Sequence, residues 1–232
     1  MPVGLPAREQ HDGIVVRGLA RRFGARWALA HVDVSVDRGA ALMIVGANGS
    51  GKTTLLRCLA TALRPHAGTI ELFGQDLWQH RAGLRPRIAL LTHAARLYDD
   101  LSARENLQVW ARLARRSIDP EALLEAVGLP TNRPDPVRTF SAGMRRRVAL
   151  ARATMGEPEL VLFDEPFAAL DPEGRQLVKD IAIDLKKRGA TLVMATHLPQ
   201  EAGSICETAL VLDAGRVQRH VPTAELRAGS PA

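Results

Sequence analysis

The strongest constraint on this chain lies between residues 41 and 63. Ala41-Leu42-Met43-Ile44-Val45 is an unbroken apolar run that suits a strand buried on both faces. It leads directly into Gly46-Ala47-Asn48-Gly49-Ser50-Gly51-Lys52-Thr53, and a helical pattern follows from Lys52 to about Leu63. The glycines open backbone conformations that aim successive N–H groups inward, and the helix end behind them adds partial positive charge. Such a strand–loop–helix unit belongs in an α/β sheet and fits the phosphate pattern G-x-x-x-x-G-K-[ST]. It assigns phosphate contacts to Gly46, Asn48, Gly49, Ser50, Gly51, Lys52, Thr53 and Thr54. Lys52 would reach the β- and γ-phosphates, and the Thr53 hydroxyl would ligate Mg²⁺.

The rest of the chain agrees with an α/β design. Residues 14–38 are strand-like and end in the strict alternation Val32-Asp33-Val34-Ser35-Val36. Further strands are predicted at 69–73 and 88–91. The middle then turns helical: Ser102-Ala103-Arg104-Glu105 is a capping box, Asp119-Pro120 opens a short helix that Gly128 closes, and a third helix follows Ser141. Strands return at 160–163 and 191–195 around a helix from about 173 to 187, and a hairpin at 209–221 closes the pattern. Alternating strands and helices imply a parallel sheet. We therefore expect one domain over 14–221, with core segments at about 14–93 and 156–221, a helical insertion at about 94–155, and loose tails at 1–13 and 227–232.

Composition sets the outer limits. The chain has 232 residues, 46% hydrophobic and 24% charged, enough for one large core. Its apolar runs fall far short of the roughly 20 residues that span a bilayer. Residues 1–13 lack an apolar stretch after a basic start, so no signal peptide is expected and a cytoplasmic location is. Cys58 and Cys206 sit in apolar-periodic segments and read as buried free thiols. The net charge of +6 suits nucleic acid, an anionic membrane face, or arginine-rich solvated surfaces. With no zinc-finger or RNP-like motif and no basic-aromatic stripe, no direct nucleic-acid partner is expected.

Two further segments carry chemistry. Glu159-Leu160-Val161-Leu162-Phe163-Asp164-Glu165 is an apolar strand that ends in two acids, which places both carboxylates at the ligand edge of a parallel sheet. Asp164 can hold Mg²⁺, and Glu165 can orient the water that attacks the γ-phosphate. Phe140-Ser141-Ala142-Gly143-Met144 precedes a basic helix; Ser141 is an N-cap, and Gly143 permits close backbone approach at a second anion site.

With these segments in this order, the chain resembles the ATP-binding-cassette family, over residues 14–221. Its L-S-G-G-Q signature corresponds to Phe140-Ser141-Ala142-Gly143-Met144. The resemblance implies a RecA-like P-loop NTPase core of α/β class, an N-terminal antiparallel β-subdomain and an inserted helical subdomain. It implies an ATPase using ATP and Mg²⁺, paired as a homodimer or heterodimer and coupled to integral-membrane permease subunits. Each ATP would lie between the phosphate loop of one subunit and Ser141 and Gly143 of its mate. Phe23 would stack on adenine, Ala168-Ala169-Leu170-Asp171 would communicate between subunits, and His197 would touch the γ-phosphate. Lys52, Glu165 and His197 are then the catalytic candidates.

The sequence departs from the family where Gln is usual, since Thr92-His93 stands there. A neutral imidazole accepts a hydrogen bond from a metal-bound water, so His93 is the candidate substitute. Ser-Ala-Gly in the signature and His at the Gln position are similar to the ATPase subunits of bacterial haem exporters for cytochrome c maturation. Export of another substrate and nucleic-acid work by a cassette ATPase are the alternatives.

Overall fold

The computed structural model describes residues 12–92, 94–168 and 170–228. Residues 1–11, His93 and Ala169 lie outside that description, as do residues 229–232.

The chain opens with β1 (Ile14–Phe23) and β2 (Arg26–Val36), continues through β3 (Ala41–Val45), α1 (Lys52–Leu59), β4 (Ala67–Leu72) and β5 (Gln75–Asp76), and reaches β6 (Ile88–Leu91) after the one-turn helix α2 (Arg81–Leu84). Helices α3 (Ala103–Ala114), α4 (Pro120–Glu125) and α5 (Ala142–Thr154) follow. Then come β7 (Leu160–Asp164), α6 (Pro172–Lys187), β8 (Thr191–Ala195), α7 (Pro199–Ala202), β9 (Thr208–Asp213), β10 (Arg216–Pro222) and α8 (Thr223–Ala228).

Two sheets form. An antiparallel sheet has the order β2-β1-β4-β5, and a larger one has the order β10-β9-β3-β8-β7-β6. In the larger sheet β9, β3, β8, β7 and β6 are parallel and only β10 runs against its neighbour. Every residue of β7 and β8 is buried, the pattern of strands covered on both faces. Side-chain alternation divides the interior into two cores. Met43, Val161 and Phe163 pack with α5 and α6 residues such as Val148 and Val178. Leu42, Ile44 and Leu162 pack instead with Leu55 and Leu56 of α1 and with Val16 and Ile70 of the antiparallel sheet.

Strand register decides where the chemistry gathers. Ile44 and Asp164 both pair with Ala195, so the carboxyl ends of β3, β7 and β8 emerge side by side. The phosphate loop, Glu165 and His197 follow these ends by one or two residues.

The structure differs from expectation at several boundaries. Helix α1 stops at Leu59 rather than near Leu63, because Thr61 turns left-handed (φ 57°) and the N–H groups of Ala62 and Leu63 both return to the Arg57 carbonyl. The fourth strand covers Ala67–Leu72, ending where Phe73 takes φ 53°. Asp12 and Gly13, expected in a loose tail, are tied in: Asp12 pairs with Arg38 at 3.1 Å, and the Gly13 carbonyl accepts from Phe73 N–H at 2.8 Å. At the other end α8 carries the chain on to Ala228. The capping box forms as read, with Ser102 Oγ accepting from Glu105 N–H while Glu105 accepts from Ser102 N–H. The short helix α4 starts from the Asp119 cap, with Pro120 at the opening position. Among the described residues, no helix is long and apolar enough to cross a membrane.

Candidate active site

The phosphate loop is shaped by contacts that tolerate only glycine at two of its positions. Gly46 has φ 152°, and a Cβ there would stand 2.1 Å from the Leu212 carbonyl oxygen. Gly51, just before α1, has φ 111°, and its Cβ would stand 2.4 Å from the Ala28 carbonyl oxygen. Both β9 and β2 therefore press on the loop from behind. Lys52 is buried, and its Nζ donates to the carbonyls of Gly46 at 2.7 Å and Ala47 at 3.1 Å. The cation is thus held within the curl of the loop.

In front of the loop lies a cavity of about 500 Å³, within the range typical of small-ligand sites. Asn48, Gly49, Gly51, Lys52, Thr53 and Thr54 line one side, Asp164 and Glu165 another, and Phe23 and Arg26 a third. Gly46 and Ser50 shape the loop without lining the cavity; the Ser50 hydroxyl is buried without a hydrogen-bond partner among the described residues. Phe23 is half exposed beside the Arg21 guanidinium, 5.0 Å from its ring centre, leaving an aromatic surface open to a ligand.

The acidic edge is also organised before any ligand arrives. Thr53 Oγ1 donates to Asp164 Oδ1 at 2.9 Å. Glu165 sits in the left-handed region (φ 52°), although proline follows it, and its N–H donates to the Ala195 carbonyl at 2.9 Å. The Glu165 Oε2 atom accepts from His197 N–H at 3.2 Å and lies 2.7 Å from His197 Nδ1. A non-glycine residue in this backbone region carries strain, which persists where neighbouring contacts hold it. Here the end of β8 does so twice. The carboxylate is mostly shielded, while the imidazole is more than half exposed toward solvent.

The hard oxygens of Thr53 and Asp164 are the donor type that Mg²⁺ takes. Among the described residues no three His, Cys, Asp or Glu side chains cluster as a ready metal cage. Mg²⁺ does not need one, because it keeps water and phosphate oxygens as most of its ligands. The residues present therefore fit this ion. His93, the expected further ligand, lies outside the described residues.

Comparison with known proteins decides the family. The ABC transporter pattern matches residues 29–168, more than half of the chain. The chain belongs to the ABC transporter family. It is 40% identical over 220 residues to the daunorubicin resistance ATP-binding protein DrrA3 of Streptomyces coeruleorubidus, an alignment covering 93% of this chain and 70% of that one. It is 39% identical over 182 residues to the cytochrome c biogenesis ATP-binding export protein CcmA of Nitrosococcus oceani, covering 78% and 84%. A solved structure of the ATP-binding subunit of an ABC transporter superposes with TM-score 0.82 at 28% identity, over 93% of this chain and 92% of that one. The chain spans about two thirds of the length of several other curated relatives, 64% of the Nod factor export ATP-binding protein I of Ralstonia nicotianae among them. It is an ABC transporter ATP-binding subunit, with the P-loop NTPase core of that family.

In the ABC subunit the remaining sequence candidates stand apart from this cavity. Ser141 caps α5 by accepting from Met144 N–H at 3.2 Å, with Gly143 in the first turn; neither lines the cavity. Asp171 caps α6 by accepting from Gly174 N–H at 2.8 Å and is also outside it.

Two residues near the site escaped the sequence reading. Arg26 lines the cavity, close beside Gly49. Arg146, one turn inside α5, is buried, and it donates to the carbonyls of Thr92 at 2.5 Å, Asp164 at 3.3 Å and Glu165 at 2.8 Å. Burial pulls its guanidinium down to about 10, against the opposing pull of Asp164 and Glu165, so it remains a cation near neutral pH. A signal for it existed: Arg146 shares one helical face with Ala149, Leu150 and Ala153, all buried.

Proposed function

We propose that this ABC subunit hydrolyses Mg·ATP as one half of a pair and drives export through separate membrane subunits at the cytoplasmic face of the membrane. The observation that carries the reading is the Thr53–Asp164 hydrogen bond beside the Glu165–His197 pair, at the mouth of the phosphate loop. The loop N–H groups and Lys52 hold the phosphates, and Phe23 stacks on adenine. Thr53 and Asp164 hold Mg²⁺, with His93 as a further ligand. Bound Mg²⁺ supplies charge neutralisation on the β- and γ-phosphate oxygens. Glu165 accepts a hydrogen bond from the attacking water and orients it. His197 restrains that carboxylate and reaches toward the γ-phosphate.

Ser141 and Gly143 lie outside the subunit's own cavity, which supports their use by the nucleotide bound to the mate. Asp171 sits in the loop through which the two copies communicate. A short helix of the membrane subunit seats between the core and α3. Haem export for cytochrome c maturation is the first reading of cargo, supported by the CcmA relative and by Thr92-His93 and Ser141-Ala142-Gly143. Export of a drug-like molecule is the second, because the daunorubicin resistance relative aligns with a larger share of this chain.

Phosphate release with Mg·ATP tests the enzymatic core of this proposal. Wild type should turn over steadily, and Lys52→Ala should fall to background. Equal release from the two proteins would sink it.

A further inference from the structure

The cavity in front of the phosphate loop holds a second cation besides Lys52. Arg26 opens β2 and pairs directly across the β1–β2 turn with Phe23, so the two side chains leave the antiparallel sheet on one face. Both line the cavity. The Arg26 side chain is long enough to reach the loop: its Nη2 atom would stand 3.3 Å from a Cβ on Gly49. The guanidinium therefore spans the ground between the exposed aromatic ring and the phosphate loop.

Its neighbours are engaged, and Arg26 is not. Arg21 lies over the Phe23 ring and donates to the Arg64 carbonyl at 3.0 Å, and Arg22 lies over the Trp27 ring at 5.9 Å. Among the described residues Arg26 has no hydrogen bond, ion pair or ring contact. The two carboxylates of the cavity are already held, Asp164 by Thr53 and Glu165 by His197. Lys52 is held by the carbonyls of Gly46 and Ala47. Arg26 thus keeps its full charge and its fork of donors for an incoming anion, and a guanidinium fork matches phosphate oxygens.

We propose that Arg26 is a specificity-determining contact of the nucleotide site, donating to phosphate oxygens from the Phe23 side while the loop and Lys52 hold the chain from the other. This role rests on the reading of the cavity as the Mg·ATP site, and it adds a charge that lies outside the phosphate loop. The contact is made to phosphates already present in the ground state. It therefore tightens binding of ADP and ATP alike, and the hydrolytic step stays with Thr53, Asp164 and Glu165.

Equilibrium binding of a fluorescent mant-ADP in the presence of Mg²⁺ tests this in wild type, Arg26→Gln and Arg26→Lys. Arg26→Gln should bind about tenfold more weakly, and its affinity should fall less steeply with added salt than that of wild type. Arg26→Lys should recover part of the loss, because it keeps the charge and loses the fork. In phosphate release, Arg26→Gln should raise KM for ATP by a similar factor while kcat changes by less than about twofold. Urea midpoints should coincide, since the native side chain is exposed and has no described partner. Unchanged affinity in Arg26→Gln would make Arg26 an ordinary solvated side chain and overturn the assignment. So would a fall in kcat at constant KM, or an unaltered salt dependence with no recovery in Arg26→Lys. Wild type separates the two claims: if it binds no mant-ADP, the nucleotide-site reading beneath fails, whereas binding that Arg26→Gln leaves unchanged defeats the Arg26 assignment alone.

Discussion

The Arg146 guanidinium donates to the main-chain carbonyl of Glu165 at 2.8 Å and, through its other nitrogen, to that of Thr92 at 2.5 Å. One side chain of α5 thus ties the residue after β7 to the residue after β6. Removing it would take a donor from these partly buried carbonyls, that of Glu165 keeping only the Ala168 N–H at 3.3 Å, and a buried group left unsatisfied costs about 1–3 kcal/mol. Arg146→Met should lower unfolding free energy by about 3 kcal/mol. It should also reduce the hydrolysis rate more than it weakens ATP binding, because it misplaces Glu165 and not the phosphate loop. Single-turnover rates set beside nucleotide affinity check this. A loss confined to affinity would contradict it.

Glu165→Gln keeps the shape of the side chain and the hydrogen bond from His197 N–H but removes the charge. We expect it to bind Mg·ATP, fail to hydrolyse it, and accumulate as a pair of chains on gel filtration. A variant that stays monomeric with saturating Mg·ATP refutes closure of two copies over the nucleotide.

Gly46→Ala places a Cβ 2.1 Å from the Leu212 carbonyl oxygen, in a backbone conformation that L-residues rarely adopt. The obstacle is main chain, so no side-chain rotation relieves it. Urea titration should show a loss of more than about 3 kcal/mol, together with weaker nucleotide binding.

Glu159 begins the approach to β7 and accepts from Arg87 Nε at 2.5 Å and Nη2 at 2.7 Å, and from Arg38 at 2.9 Å. These partners, Arg87 foremost, hold its carboxyl below the ordinary 4.5. Because the folded value is depressed, the stabilisation is complete above pH 4.5 and fades as pH falls through the folded value. The pair is partly exposed, so its worth is below about 1 kcal/mol after solvent screening. Thermal unfolding of wild type and Glu159→Gln should differ at pH 7 and converge as pH falls below the folded value.

Burial pushes the Cys58 and Cys206 thiols up to about 12. Neither should react with a thiolate-selective reagent at pH 8 until the protein is unfolded, and then both should. Rapid labelling of the native protein would contradict this burial.

Much of the fold could be read from local pattern. The strands Ile88–Leu91 and Thr191–Ala195 fall where the apolar runs put them, because parallel strands leave short hydrophobic blocks, fully buried in Thr191–Ala195 and partly buried at the sheet edge in Ile88–Leu91. The caps at Ser102, Asp119 and Ser141 were equally legible, since the residues that satisfy a helix end lie within four positions of one another. What escaped depends on distant partners. The early end of α1 turns on the left-handed Thr61, which no neighbouring glycine announces. Within the site, Lys52, Thr53, Asp164 and Glu165 gather as the motif order suggests, whereas Arg146 acts on carbonyls supplied by two other strands. A backbone oxygen has no letter in a sequence.

Position 165 asks for two incompatible things. Its dihedral angles favour glycine, yet a glycine there would have no carboxylate to aim at a nucleophile. An L-residue in this region carries a penalty of about 1–2 kcal/mol. A glycine substitution should therefore give a protein that is sturdier and idle, so a screen that rewards thermal endurance alone would drift toward inactivity at this site.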